Sequence, residues 1–400
     1  MNMNYNEKNI NITTENLPAE ATFRALVISC TQEQNSYAVV LVQTSFFPEG
    51  GGQSSDHGYI GDAKVSDVQT VDGKIVHYTD APLVSGQEYD CRLDWDDRYR
   101  KMQHHTAEHL LCGLIHNALG YDNVGFHLSD TEVTLDVNGP LSAEQLHEFE
   151  AEANRLIQKG LPVTVSYPSP EVLPTLSYRS KLEMTENVRL VTIEGIDVCA
   201  CCAPHVDNTS EIGILKVTDF MPHRGGTRIT LLAGYEAYCD YAAIADNNRE
   251  ISAITSSKRH ETAAGVAALD TRMRSLQKEL TDLKKKITDL VSRSVLQELA
   301  ARIPDDQSPF LLFPEGLDDV QVRNLVNACT ANGADMVCAF IRTDSGFRYI
   351  LSSAAENSAL PEISKKMNEV LGGRGGGSSK MVQGSTPANE QEIRSFFHSL

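Results

Sequence analysis

Apolar and polar positions alternate in short runs over residues 22 to 99. The segments "ALVISC", "YAVVLVQTSFF", "YIGDAKVSDVQTV" and "KIVHYT" are β-branched and broken by Gly, Asp and Pro at intervals near ten residues, the pattern of an antiparallel barrel or sandwich. Residues 103 to 240 change period repeatedly. A helix is expected at 105–119, a strand at "TEVTLDV", a helix at 142–159, then strands at "LPVTVSY", "VRLVTI", "GILKVTDF" and "TRITLLAG", which reads as helices laid on an antiparallel sheet.

A third pattern follows. Val266, Leu269, Met273, Leu276, Leu280, Leu283, Ile287 and Leu290 alternate spacings of three and four with charges between them, which predicts a coiled coil, a long helical hairpin, or one amphipathic helix docked on a neighbouring domain. A coiled coil would make a homodimer through residues 266–290. From residue 309, "PFLLFPE", a helix at 318–332, "ADMVCAFIRT" and "RYILSSA" predict a small α/β unit, finished by a basic glycine-rich loop in "KKMNEVLGGRGGGSSKMVQGS". The fold expected is therefore α+β and multidomain. An N-terminal antiparallel β-barrel with a glycine-rich motif occupies 1–99, an α+β domain 100–240, a helical coiled-coil linker 241–304, and an α/β domain 305–400.

Length supports this division, since 400 residues exceed what one core normally serves. No apolar run reaches the roughly 18 residues of a membrane span, and the N-terminus has neither a basic start nor an apolar stretch, so a cytoplasmic protein without membrane contact is expected. Nine cysteines, scattered except for "CACC" at 199–202, fit a reducing compartment better than a disulfide framework. The net charge of −19 argues against nucleic-acid binding over the whole surface. It leaves room for a local basic patch, and Lys365, Lys366, Arg374 and Lys380 surround the C-terminal glycines.

The densest chemistry lies in "QHHTAEHLLCGLIHNALG". On a helix, His105, His109, Cys112 and His116 fall within about 60° of one another, with Ala107, Leu110, Leu111, Leu114 and Ala118 on the opposite side. The histidine stripe should thus face solvent or a cleft. Two histidines at i and i+4 can reach one ion, and tetrahedral zinc needs further ligands from elsewhere. "DVCACCAPHVDN" offers Cys201 and His205, giving three nitrogens and one sulfur in a set with His105 and His109 that suits Zn2+. Two rivals stand beside it: Cys112 or His116 in place of His105, and the thiols Cys199 and Cys202. Glu108 lies about 60° off the stripe on the wheel, where a surface salt bridge or simple solvation is expected.

At this point the order "FFPEGGGQSSDHG", "HHTAEHLL", "VRLVTIEGIDVCACCAPHV", "EIGILKV", "GGTRITLLAG" resembles the editing half of alanyl-tRNA synthetase and the free-standing trans-editing proteins that share it. The heptads followed by "LGGRGGGSSKMVQGS" resemble the linker and C-terminal DHHA1 domain of that synthetase. The resemblance runs from about residue 22 to the end and points to the long free-standing form. It implies zinc at His105, His109, Cys201 and His205, and a substrate, alanine tRNA wrongly charged with serine and sometimes glycine, whose ester is hydrolysed. It further implies catalytic roles for Gln53 and His127 and a substrate pocket at Phe126, Gly51 and Gly52. Gly372, Gly373, Arg374, Gly375, Gly376, Gly377 and Lys380 would contact tRNA, and ATP binding attaches only through the synthetase family as a whole. Where the family commonly has Gly-Gly-Thr between the last two ligands, this chain has Cys202, Ala203 and Pro204.

The competing functions are editing of another tRNA, such as one for threonine, and a non-catalytic tRNA-binding protein that keeps zinc for folding. A phosphoesterase of the group that also carries DHHA1 domains would need an Asp-His-His motif, which the chain lacks.

Overall fold

The computed structural model describes residues 21–129, 133–180, 188–302, 308–355 and 359–400. The first twenty residues of the expected barrel domain, the first two residues of the strand expected at "TEVTLDV", and the expected boundary at 304/305 lie outside them. The chain divides into two compact units, residues 1–247 and 248–400.

In the first unit, β1 (Thr22–Glu33), β2 (Ser36–Leu41), β3 (Gly58–Ile60), β4 (Ala63–Val71), β5 (Lys74–Thr79) and β6 (Glu88–Leu93) close into a barrel in the order β1-β2-β5-β4-β3-β6. Closure leaves no edge strand and decides between barrel and sandwich. Val27, Val39, Val65, Val68 and Ile75 fill its interior.

Helix α1 (Trp95–Leu119) starts ten residues before the expected 105. Asp94 caps it, accepting from the Asp97 N–H at 3.4 Å, and Asp96 and Asp97 complement the helix dipole. The apolar pattern could not report these turns because they bury cations. Arg98 is 2% exposed, pairs with the buried Asp56 and donates to the Ser45 carbonyl at 2.7 Å; Lys101 donates to the Ser55 carbonyl at 2.7 Å. The loop between β2 and β3 is thereby bolted to α1. Removing one partner of such a buried pair leaves an uncompensated charge, a loss of about 3–5 kcal/mol. Gly120, at φ 70°, ends the helix with its N–H on the His116 carbonyl.

Around α1 run β7 (Asn123–Leu128), β8 (Val133–Val137), α2 (Ala143–Lys159), β9 (Val163–Ser166), β10 (Leu190–Ile193), β11 (Asp197–Ala200), β12 (Leu215–His223) and β13 (Gly226–Ala233), followed by α3 (Gly234–Thr255), within which the division at 247/248 falls. They form an antiparallel sheet in the order β12-β13-β8-β7 and a second, β11-β10-β9. Leu110, Leu111 and Ile115 of α1 pack with Leu135, Ile229 and Leu231 in one core. Ser142 and Gln145 build a capping box at the start of α2. Strands β7 and β11 were not expected, being short and polar and made by their partners rather than by alternation.

The second unit holds α4 (Thr262–Ala300), β14 (Phe310–Leu312), α5 (Asp319–Ala331), β15 (Met336–Thr343), β16 (Gly346–Ser353), α6 (Leu360–Val370), β17 (Arg374–Gly377), β18 (Met381–Thr386) and α7 (Glu390–His398), with a five-stranded sheet β14-β15-β16-β18-β17. Val291, Val295, Leu296 and Leu299 at the end of α4 pack on its core. The eight stripe residues before them stay exposed, from 42% at Ile287 to 66% at Leu290.

The expected C-terminal glycine loop is a correction. It is the edge strand β17, paired with β18. Glycine is required there because the strands cross the hydroxyl of buried Tyr349: a Cβ on Gly375 or Gly384 would lie 2.3 Å from it. Among the described residues no helix is long and apolar enough to cross a membrane.

Candidate metal centre and its cleft

Helix α1 presents His105 and His109 one turn apart, and the chain leaving β11 turns through Cys201 to His205. Cys201 Sγ lies 3.5 Å from His105 Nε2 and 3.4 Å from His205 Nε2, and the four ligand atoms are all within 4.8 Å of one another. Each ring is oriented by its other nitrogen. His105 Nδ1 donates to Gln53 Oε1 at 2.7 Å, and His109 Nδ1 donates to Asp197 Oδ2 at 3.0 Å. Thr106 spends its only proton on the Met102 carbonyl, so its oxygen accepts from His205 Nδ1 at 3.1 Å. All three Nε2 atoms therefore turn their lone pairs inward, the arrangement that fixes ligating imidazoles.

The shifts at Cys201 and His205 agree with a ligand set, while His109 would have to give up a proton to join it. Burial would raise the Cys201 thiol, but His105, His109 and His205 around it hold it well below the ordinary thiol value. Burial, helped by the charge of His109, pulls His205 down to about 3. Burial would also lower His109, yet its hydrogen bond to Asp197 holds it well above the usual imidazole value. Asp197 stays at about 2 because His109 and Arg179 outweigh its burial. Three imidazole nitrogens and a thiolate fit a tetrahedral zinc donor set. A second group, His109, Asp197 and Cys199, also converges. Its carboxylate is already committed to His109 and Arg179, and burial pushes the Cys199 thiol up to about 11.

The centre opens on a cleft of about 1320 Å³ lined by Gly51, Gly52, Glu108, Asn123, Phe126 and Cys202 among others. The glycine loop is zipped onto β7: Gly52 accepts from the Leu128 N–H at 2.7 Å and the Ser54 N–H donates to the Leu128 carbonyl at 3.0 Å. The Phe126 ring stands 4.7 Å from that of His105. Gln53 is fully buried behind His105 and does not line the cleft, while His127 is exposed and also absent from its lining. Arg374, Gly375, Gly376, Gly377 and Lys380 lie exposed in the second unit, with Gly372 exposed and Gly373 half-buried.

The rivals stand apart. Burial drives the Cys112 thiol well up, and it donates to Glu108 Oε1 at 3.0 Å. His116 is outside the cluster, 3.0 Å from Asp122. Burial also raises the Cys202 thiol. Glu108 corrects the expectation of solvation. It is 2% exposed because α1 is enclosed on nearly all sides, not on one face. Sequence reading missed Thr106, Asp197 and Arg189. Arg189 Nη1 clamps the ligand loop by donating to the Cys201 and Ala203 carbonyls at 2.7 and 2.9 Å. Only Asp197, beside the cysteine cluster, left any trace in the sequence.

Residues 188–230 match the family described as the threonyl and alanyl tRNA synthetase second additional domain, and residues 2–97 match the class II (A) tRNA synthetases. With the relatives below, these matches place the chain in the alanyl-tRNA synthetase editing-domain family. Over most of its length it is similar to alanyl-tRNA editing proteins. It is 26% identical to the alanyl-tRNA editing protein AlaX-L of Pyrococcus horikoshii, over 92% of this chain and 93% of that one, and 24% identical to Aarsd1 of Danio rerio, over 90% of each. It is also 35% identical to the alanine–tRNA ligase of Ignicoccus hospitalis over 67% of its own length, spanning only 30% of that enzyme. The C-Ala domain structure of Aquifex aeolicus alanyl-tRNA synthetase aligns with 22% of this chain and 87% of that one at 18% identity, with a TM-score of 0.21.

Proposed function

We propose that this protein is a zinc-dependent trans-editing hydrolase that deacylates alanine tRNA mischarged with serine, and with glycine as a second substrate. The observation that carries the reading is the converging set His105, His109, Cys201 and His205, the first three of which line an open cleft. The editing proteins it is similar to supply the reaction. A synthetase site that must accept alanine's methyl cannot strongly reject serine, so a separate site must read the added hydroxyl.

Zinc, when bound, would orient the aminoacyl ester and polarise its carbonyl. The chain's own groups prepare that step. Gln53, Asp197 and Thr106 hold the three rings in register, Arg189 holds the Cys201 loop, and Phe126 with Gly51 and Gly52 walls the cleft. The test is deacylation of serine-, glycine- and alanine-charged alanine tRNA, with zinc determined on the same sample. Cleavage of the first, sparing of the last and one zinc per chain supports the reading; a zinc-loaded protein that cleaves none favours a non-catalytic tRNA-binding protein.

The second unit is proposed as a DHHA1-like tRNA-binding domain. The exposed edge strand β17 carries Arg374, and Lys380 immediately precedes the next strand. Arg374→Ala with Lys380→Ala should weaken tRNA binding about tenfold and lower the slope of log affinity against log salt by about 2, as loss of two phosphate contacts does. An unchanged filter-binding titration removes this role. The exposed heptads of α4 are proposed to pair in a homodimer through residues 266–290. Light scattering should give twice the 43.9 kDa of one chain, and a monomer at micromolar concentration sinks the pairing.

A further inference from the structure

Glu108 immediately precedes a proposed zinc ligand, is 2% exposed, and makes no ion pair with lysine or arginine among the described residues. Its two oxygens are unequal. Oε1 accepts from the Cys112 thiol at 3.0 Å and from the Asn123 side-chain amide. Oε2 accepts no hydrogen bond among the described residues and has His109 Nε2 at 3.8 Å as its polar neighbour. That nitrogen is the one turned to the ligand cluster, since Nδ1 is bound to Asp197.

A carboxylate so enclosed needs a cation or further donors. Its charged neighbour is His109, and Glu108 is not itself one of the four converging ligands. Yet the residue lines the cleft. Its Cys112 and Asn123 contacts fix the side chain so that Oε2 is presented beside the ligand cluster.

An aminoacyl ester brings a full positive charge of its own. Its α-ammonium is separated from the ester carbonyl carbon by the α-carbon alone, so a substrate with its carbonyl at the cluster brings a positive charge to within a few Å of it. We propose that Glu108 Oε2 binds the free α-ammonium of the aminoacyl ester, so that the cleft accepts unblocked aminoacyl-tRNA and excludes N-acylated esters, peptidyl-tRNA among them. The assignment rests on the deacylase reading above. It deepens that reading, because an ammonium contact cannot tell serine from alanine and leaves that choice to groups facing the side chain.

The experiment compares serine-charged alanine tRNA with its N-acetylated form, using full-length wild type and Glu108→Gln, with zinc content and melting temperature measured on each protein. Glutamine keeps the shape and removes the charge. Wild type should prefer the free amine by at least about 30-fold in kcat/KM, the factor corresponding to a charged hydrogen bond of about 2 kcal/mol. Glu108→Gln should retain one zinc and bring the two substrates to within about threefold, chiefly by raising KM for the free-amine ester. Wild type that cleaves both esters alike overturns the assignment without needing any variant. So does a folded, zinc-loaded Glu108→Gln that keeps the preference, and so does loss of zinc from that variant, which would make Glu108 a support of the metal. Wild type that cleaves neither ester removes the deacylase reading itself, an outcome distinct from the others.

Discussion

Cys201→Ala is expected to lose both zinc and deacylation, beyond the roughly 10–100-fold cost of losing a residue that merely supports a ligand. Its sulfur lies between two ring nitrogens, 3.5 and 3.4 Å away. Of the four thiols near the cleft it is the one whose surroundings favour the thiolate, while Cys112, Cys199 and Cys202 are all driven the other way, largely by burial. A neighbouring thiol is therefore a poor replacement, although Cys202 is the next residue. Elemental analysis together with deacylation of serine-charged tRNA decides the matter. Zinc and activity retained in the variant would show that Cys199 or Cys202 supplies the sulfur.

Gly52→Ala should damage the same centre from the other side. Gly52 has φ 89°, and a Cβ there would lie 2.2 Å from the Phe126 carbonyl oxygen, a backbone atom held in β7. Strain of this kind adds to the left-handed penalty, for a loss of about 3 kcal/mol. For a unit of this size that lowers the melting temperature by roughly 6–12 °C. Because Gln53 follows directly and orients His105, zinc affinity should fall as well. Calorimetry and a zinc titration read the two effects, and a stable variant with normal zinc affinity would mean the loop can detach from β7 without harm. Gly51→Ala is a useful comparison, since its added Cβ meets only the Cys202 sulfur, at 3.7 Å.

How far the site was legible from sequence varies by residue. His105 and His109 declare themselves because helical spacing makes neighbours of residues four apart, and Cys201 with His205 were the best remaining nitrogen and sulfur donors. Glu108 was misread for a physical reason. A wheel assumes one broad wet face, and the middle of α1 is buried nearly all round, with the cleft as its opening. Gln53 and Asp197 act through atoms brought in from other elements, and no spacing rule reaches across 52 or 88 residues. In the second unit the run "GGRGGG" reads as a turn by local preference. Its strand conformation comes from pairing with β18, and its need for glycine from the Tyr349 hydroxyl beneath it, tertiary contacts that composition cannot announce.

The three ring anchors come from three places: Gln53 from the barrel's loop, Asp197 from the small sheet and Thr106 from α1 itself. Each must be seated before its imidazole points inward. Metal affinity would then depend on the docking of barrel loop, helix and sheet as well as on the four donors. A fragment lacking the barrel would carry all four donors and still have no partner to orient His105, so metal affinity reports on assembly of the whole unit rather than on the presence of its ligands.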